Sequence, residues 1–214
     1  VGELLGGSFR AETDLAGLLY GPQDRARPEI QVRSRGLSLE QLAAVSEACG
    51  WEGPTLKGQL DLAAAFEAGQ IGLPRTCELQ VRQGAVAYEG LSVDDLSGTV
   101  KLAEGRAQVE ATARMLEGNL SVKSNANIGN KLSAQLPLQI HLDSAKLQGL
   151  ASASDRFRGL KPLSGTGDMD CELVVDLREL KFTAEGDATL SEVDWNRNRI
   201  SQRIKTHFVA DPRS

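Results

Sequence analysis

At 214 residues, with 41% hydrophobic, 25% charged and only 4% aromatic side chains, the chain has room for one large domain or two small ones, and its composition is that of a globular protein. A formal charge of −5 and a pI near 5.2 exclude a nucleic-acid surface, which needs clustered Lys and Arg. The densest basic stretch, Arg197 to Lys205, reads as a solvated loop and strand edge.

Along the chain, glycine-marked strand patterns dominate, and they come in two sets. Leu4-Leu5-Gly6-Gly7-Ser8-Phe9 opens the first, followed by the polar loop Gly21 to Pro28 and the strand Pro28 to Val32. Ser38-Leu39-Glu40-Gln41 has the form of a capping box, so a helix is expected over Leu39 to Cys49, with Leu39, Leu42, Ala43 and Ser46 on one face and Gly50 ending it. The strand Leu56 to Leu62 follows, then Leu79 to Leu102. Tight turns are expected at Gln83-Gly84, Glu104-Gly105, Glu117-Gly118 and Glu185-Gly186, where glycine supplies positive φ. Ala107 to Met115 alternates strictly, apolar at every odd position and polar at every even one, the period of a half-buried strand.

The second set begins at Met115-Leu116-Glu117-Gly118-Asn119-Leu120, passes the loop Asn125 to Asn130, and continues through the strand Leu136 to Leu142. A second helix is expected over Ser144 to Ser154, capped by Ser144 and carrying Leu147, Leu150 and Ala151 inward. Strands follow at Leu163 to Met169, Cys171 to Leu177 (its alternation broken at Val174) and Leu180 to Glu185. Paired landmarks lie 111 (Gly7 to Gly118), 109 (Pro28 to Pro137) and 107 (Gly58 to Gly165) residues apart, drifting as loop lengths change. The expectation is a mainly β protein: a long curved antiparallel sheet, open groove or half-barrel, with two short helices. It is built from two similar repeats, 1–111 and 112–214, in one continuous sheet. Such a sheet has one apolar face, and two helices of about three turns are too small to cover it.

The run Leu79 to Leu102, with its strand, Gly turn, aromatic-bearing strand and Leu91-Ser92-Val93-Asp94-Asp95-Leu96-Ser97-Gly98-Thr99-Val100-Lys101-Leu102, resembles the AsmA-like proteins, the superfamily that includes TamB and the larger bridge-like envelope proteins of bacteria with two membranes. Leu116-Glu117-Gly118-Asn119-Leu120 matches the family's following "l-x-G-x-l" strand. Ile30 to Leu62 and Leu138 to Gly165 match its strand, helix, "l-x-G-x-l" series. The resemblance implies a long sheet with a hydrophobic groove, held in the periplasm by a membrane anchor and associated with phospholipid transport or outer-membrane homeostasis. Its implied partners are phospholipid or another acyl-chain ligand and envelope membrane proteins. The anchor is not in this chain, so the anchoring segment is expected elsewhere: Val1 begins near a strand pattern without an initiator Met and Ser214 ends soon after one, which reads as an excised piece. No run approaches the roughly 18 apolar residues of a membrane span.

Catalytic chemistry finds little footing. His141 and His207 lie on polar strand phases without a GxSxG-type nucleophile, and read as surface histidines. Asp168, Asp170 and Glu172 share a strand face but lack the loop and glycine of a calcium site. Asp94 and Asp95 sit in an expected turn and point to opposite faces, a poor acid/base pair. Trp51 and Trp195 read as packing residues, and Cys49, Cys77 and Cys171 as small hydrophobes without metal spacing. No catalytic residue, metal or cofactor is expected. Two functions fit: an acyl-chain groove lined by Val86, Tyr88, Val100, Leu102, Val109, Ala111, Ala113, Met115, Leu120, Val122, Leu173, Val175, Phe182 and Ala184, or a structural adaptor in which the same residues form a closed dry core. A groove and a core demand the same alternation. A carbohydrate-binding or solenoid enzyme would want exposed aromatics and paired carboxylates in greater number.

Overall fold

The computed structural model describes residues 2–13, 29–48, 54–67, 74–88, 90–127, 135–153, 159, 163–176 and 181–210. Every strand in it pairs antiparallel with its neighbours in sequence: β1 (Gly2–Leu4), β2 (Gly7–Thr13), β3 (Glu29–Ser38), β4 (Thr55–Glu67), β5 (Thr76–Tyr88), β6 (Leu91–Ala103), β7 (Arg106–Met115), β8 (Gly118–Asn127), β9 (Gln135–Lys146), β10 (Leu163–Asp176), β11 (Lys181–Trp195) and β12 (Asn198–Ala210). They form one open sheet in the order β1 to β12. Helix α1 (Leu39–Ala48) links β3 to β4 and α2 (Leu147–Ala153) links β9 to β10, so both stand at the same rim of the sheet.

The two sets of the sequence become two six-strand units, β1 to β6 and β7 to β12, meeting at the turn Glu104-Gly105. The expected division between 111 and 112 falls inside β7. The correspondence reaches single hydrogen bonds. In each unit the opening hairpin turns on two residues of positive φ, Leu5-Gly6 (φ 50, 73) and Leu116-Glu117 (φ 51, 62), the backbone of a tight type I′ hairpin. Leucine is a costly residue at positive φ. It is held there because its carbonyl accepts a hydrogen bond from the residue before the helix: Ser38 N–H to Leu5 O at 3.0 Å, and Lys146 N–H to Leu116 O at 2.8 Å. The next residue is Gly7 or Gly118, and a Cβ at either would lie 2.5 Å from a carbonyl oxygen of the neighbouring strand, Arg35 or Asp143.

The second shared device is a line of bulges. Seven residues inside strands take positive φ: Gly36, Gly58, Gln83 and Asp95 in the first unit, Ser144, Gly165 and Glu192 in the second. Register shifts accompany them from β3 to β7 and from β9 to β12. Each extra residue bends its strand, so adjacent bulges fold the sheet along a crease. A bulge also strands a backbone N–H, and here a carboxylate on the next strand takes it: Gly36 N–H donates to Asp61 Oδ1 at 2.8 Å and Ser144 N–H to Asp168 Oδ1 at 2.9 Å.

The sheet also curls across its strands. Cα atoms of β7 and β9 come within 8 Å across β8, where a flat sheet would hold them roughly 9–10 Å apart. Leu102 of β6 and Leu136 of β9 close over the buried pair Ala107 and Ala126 on the strands between, so the apolar face is the inner one. Small side chains at the bottom of the curl make it possible.

Several turn expectations are corrected. Gln83-Gly84 is a bulge within β5, and Asp94-Asp95 lies in β6, not in a turn. The second hairpin turns on Leu116-Glu117, with Gly118 the first residue of β8. Glu185-Gly186 lies inside β11; Gly186 is there because its Cβ would meet Asp170 O at 2.3 Å. Ser144 is not the cap of α2, which begins three residues later at Leu147. In α1 the capping reading holds: Ser38 Oγ accepts the Gln41 N–H at 3.2 Å and donates to Glu40 Oε2 at 2.8 Å. Cys49, Gly50, Trp51, Ser154, Leu180, the loop 21–28 and residues 128–130 lie outside the described residues.

Candidate functional site

Directly paired residues of an antiparallel sheet share a face, so the register alone decides which side chains stand together. Rows of the ladder read Val86, Val93, Met115; then Leu79, Val100, Val109; then Ala113, Leu120, Leu142, Met169, Ala188; then Leu138, Leu173, Ala184; then Leu136, Val175, Phe182. All fourteen residues expected to line a groove fall on this one face. Ala113 is buried at 7% exposure, while Tyr88 at 59% and Phe182 at 49% stand open at strand ends.

The face is larger than the sequence suggested. It extends over Phe9, Ile30, Val32, Leu60, Leu62, Ala64 and Phe66 on one side and over Ile140, Leu190, Ile204 and Phe208 on the other. The signal missed in β4 is the run Ala63-Ala64-Ala65, which hides the parity of the strand. Cys77 and Cys171 lie on the same face, paired with Leu102 and Ile140, and burial pushes both thiols up, so they act as small hydrophobes.

Among the described residues this face is poorly covered. Among the described residues Val193 is the one large side chain that is fully buried. The helices close the rim only: Leu147 of α2 is 4% exposed and lies against Gly167, and Gly149 rests on Leu116. Buried on the apolar face at 3% exposure, the Ser34 hydroxyl has no hydrogen-bond partner among the described residues.

The opposite face is polar, and there the register joins residues that the sequence had kept apart. Ser121, His141, Asp170, Asp187 and His207 form one cross-strand row over β8 to β12, beside a depression of about 860 Å³. His141 Nδ1 lies 2.7 Å from Asp170 Oδ1; His207 Nδ1 lies 3.1 Å from Asp187 Oδ1 and its Nε2 3.5 Å from Glu185 Oε1. Both imidazoles are more than half exposed, so these are screened surface pairs. Asp168, which the sequence presents as a solvated strand-face acid, accepts the bulge N–H of Ser144. Trp195 closes β11 at 37% exposure.

An open antiparallel meander with a bulge crease and one apolar face that the described residues leave uncovered is therefore the class of protein this chain defines. No family model, curated protein or solved structure matches it.

Proposed function

We propose that the apolar face is the working surface and that the chain is a non-enzymatic segment of an AsmA-like protein of the bacterial envelope, holding acyl chains of phospholipid as they pass between membranes. On this reading it works in the periplasm with phospholipid and envelope membrane proteins as partners, and no cofactor takes part. The observation that carries the reading is the continuity of the apolar face across all twelve strands, with no covering layer among the described residues.

Dimensions favour a passage over a pocket. Eleven inter-strand steps of about 4.8 Å make the face roughly 50 Å long across the strands. One leaflet's hydrocarbon is about 15 Å deep, half of a bilayer core. Several chains fit end to end. The lining is aliphatic and small in the curl, with no polar residue to fix a headgroup along β7, which suits sliding contact with chains of any length.

The test sets the two phases of β7 against each other. Wild-type protein purified from cells should carry phospholipid in native mass spectrometry. Val109→Asp places a carboxylate against the chains, where an unpaired charge costs several kcal/mol or stays protonated, and should fold while losing lipid. Ala113→Asp strikes a more buried position and should also lose stability. Glu110→Ala and Thr112→Ala, on the polar face, should keep their lipid. A lipid-free wild type together with unfolding of Val109→Asp would establish the alternative, a scaffold module with a dry core.

A further inference from the structure

The two units share a backbone path, so a cluster that one polar face carries and the other lacks is chemistry and not scaffold. In the opening hairpin of the first unit the register sets Ser8 opposite Arg35 and Arg10 opposite Arg33. The matching hairpin of the second unit sets Asn119 opposite Asp143 and Ser121 opposite His141. Three guanidinium groups and a hydroxyl thus occupy one block of four adjacent positions on β2 and β3, brought together by strand pairing. All three arginines are exposed.

The block is short of countercharge. Arg10 Nε lies 2.7 Å from Glu12 Oε1, and the neighbouring carboxylate, Asp61, is already held by the Gly36 N–H and by Arg82. Arg33 reaches the side-chain oxygen of Gln31 at 3.4 Å, and neither Arg33 nor Arg35 is in an ion pair among the described residues. Like charges directly opposite destabilise a ladder, so the pairing of Arg10 with Arg33 weakens the hairpin it belongs to. On the far side of Arg33 the partner on β4 is the small Ala63, and a depression of about 320 Å³ opens there. Its carboxylates are taken locally, Glu29 by Gln31 at 3.2 Å and Glu78 by Lys101 at 3.3 Å. Room and positive charge therefore coincide at Arg33.

We infer that Arg10, Arg33 and Arg35, with the Ser8 hydroxyl, form a binding site for a phosphate group. A planar guanidinium donates two parallel N–H bonds to phosphate oxygens, and a tetrahedral anion has oxygens enough for several such forks at once. Bound phosphate offsets the repulsion between Arg10 and Arg33, so the ligand stabilises the hairpin that holds it. A phosphorylated soluble molecule and a phospholipid headgroup both supply this group. The site lies on the polar face and stands apart from the acyl-chain reading, so either can fail alone.

Inorganic phosphate and vesicles of phosphatidylglycerol in phosphatidylcholine are the probes, each added to the whole chain. Phosphate should raise the melting temperature of the wild type saturably, while chloride at equal ionic strength should not. Arg33→Gln with Arg35→Gln should weaken binding about tenfold, as the loss of two exposed charge pairs predicts. Without anion that variant should melt no lower than the wild type, since a repulsive pair has gone. Arg203→Gln with Lys205→Gln, an equal loss of charge on the polar face of β12, should bind as the wild type does. A response to free phosphate assigns the site to a soluble ligand, and a response to the anionic vesicles alone, with none to pure phosphatidylcholine, assigns it to a headgroup. Equal weakening by both double variants means that net charge alone is read, and overturns the inference. So does silence of the wild type towards both probes, a response that Arg33→Gln with Arg35→Gln leaves intact, or a lower anion-free melt, which would make the arginines part of the fold.

Discussion

Gly36 in the first unit ends its bulge on Asp61, and Ser144 in the second ends the same bulge on Asp168, 108 and 107 residues further along. Leu5 and Leu116 carry the same costly φ and receive the same hydrogen bond. Side chains on the faces have no such constancy. Ser34 is paired with Leu62, where the second unit pairs Leu142 with Met169. The polar face of β2 and β3 bears Arg10, Arg33 and Arg35, while that of the equivalent β8 and β9 bears Ser121, His141 and Asp143. What the two units hold in common is whatever sets the path of the backbone. What differs is the surface that the backbone presents.

The comparison breaks most violently at the glycines that let strands approach. Gly118→Ala would set a methyl 2.5 Å from Asp143 O, and Gly7→Ala would do the same against Arg35 O. Each should cost about 3 kcal/mol or more in urea unfolding, since the atoms met are backbone and cannot turn aside. If the units are one cooperative sheet, either variant lowers a single transition. Two separate transitions, with only the mutated unit shifted, would show that the units fold independently.

The matched positions Ser34 and Leu142 should respond with opposite sign. Leu142→Ala empties a site that is 7% exposed and should cost about 2–4 kcal/mol. Ser34→Ala removes a buried hydroxyl without a partner and should stabilise by about 1 kcal/mol. Destabilisation by Ser34→Ala would mean that the hydroxyl is satisfied in solution. Smaller again are the bulge acids. Asp168→Ala leaves the Ser144 N–H without an acceptor and should cost about 1 kcal/mol, and Asp61→Ala about 2 kcal/mol, because Asp61 also holds Arg82. Equal losses at the two sites would deny Arg82 any part.

How much of this could be read beforehand depends on whether the deciding contact was local. The strict alternation of Ala107 to Met115 and the helix start at Ser38 announce themselves, because period and capping lie within a few residues of each other. Gln83-Gly84 has the wording of a hairpin turn and is a bulge, since the decision belongs to Gly58 of the preceding strand β4, whose Cβ would lie 2.7 Å from Gly84 Cα. Leu116 at positive φ could not be foreseen, as its support comes from Lys146, thirty residues on. The apolar face was legible in strands whose odd positions are all apolar and hidden in β4 by consecutive alanines. The row His141, Asp170, Asp187 and His207 has sequence spacings of 29, 17 and 20, which carry no sign of adjacency until the register is known.

The smallest difference between the units lies at their helix starts. Ser38 and Glu40 open α1, where Lys146 and Gln148 stand before and within α2. A hydrogen bond from its own backbone amide, with others from Ser38 and Gly58, holds the Glu40 carboxyl below its usual value of 4.5. A group whose folded pKa is depressed contributes stability above its unfolded pKa and loses it as pH falls through the folded one. The wild type should therefore lose stability on acidification from about pH 5 downward by more than Glu40→Gln does. The two denaturation midpoints should converge at low pH. The charge also favours the helix start through its dipole, so the difference should shrink in high salt. Gln148→Glu offers the reciprocal experiment: it introduces a carboxylate at the start of α2 without a Ser38 equivalent to bond it, and should gain less acid dependence than Glu40 supplies. Parallel pH profiles for the wild type and Glu40→Gln would show that the carboxylate is free in solution and that the hydroxyl of Ser38 alone caps the first helix.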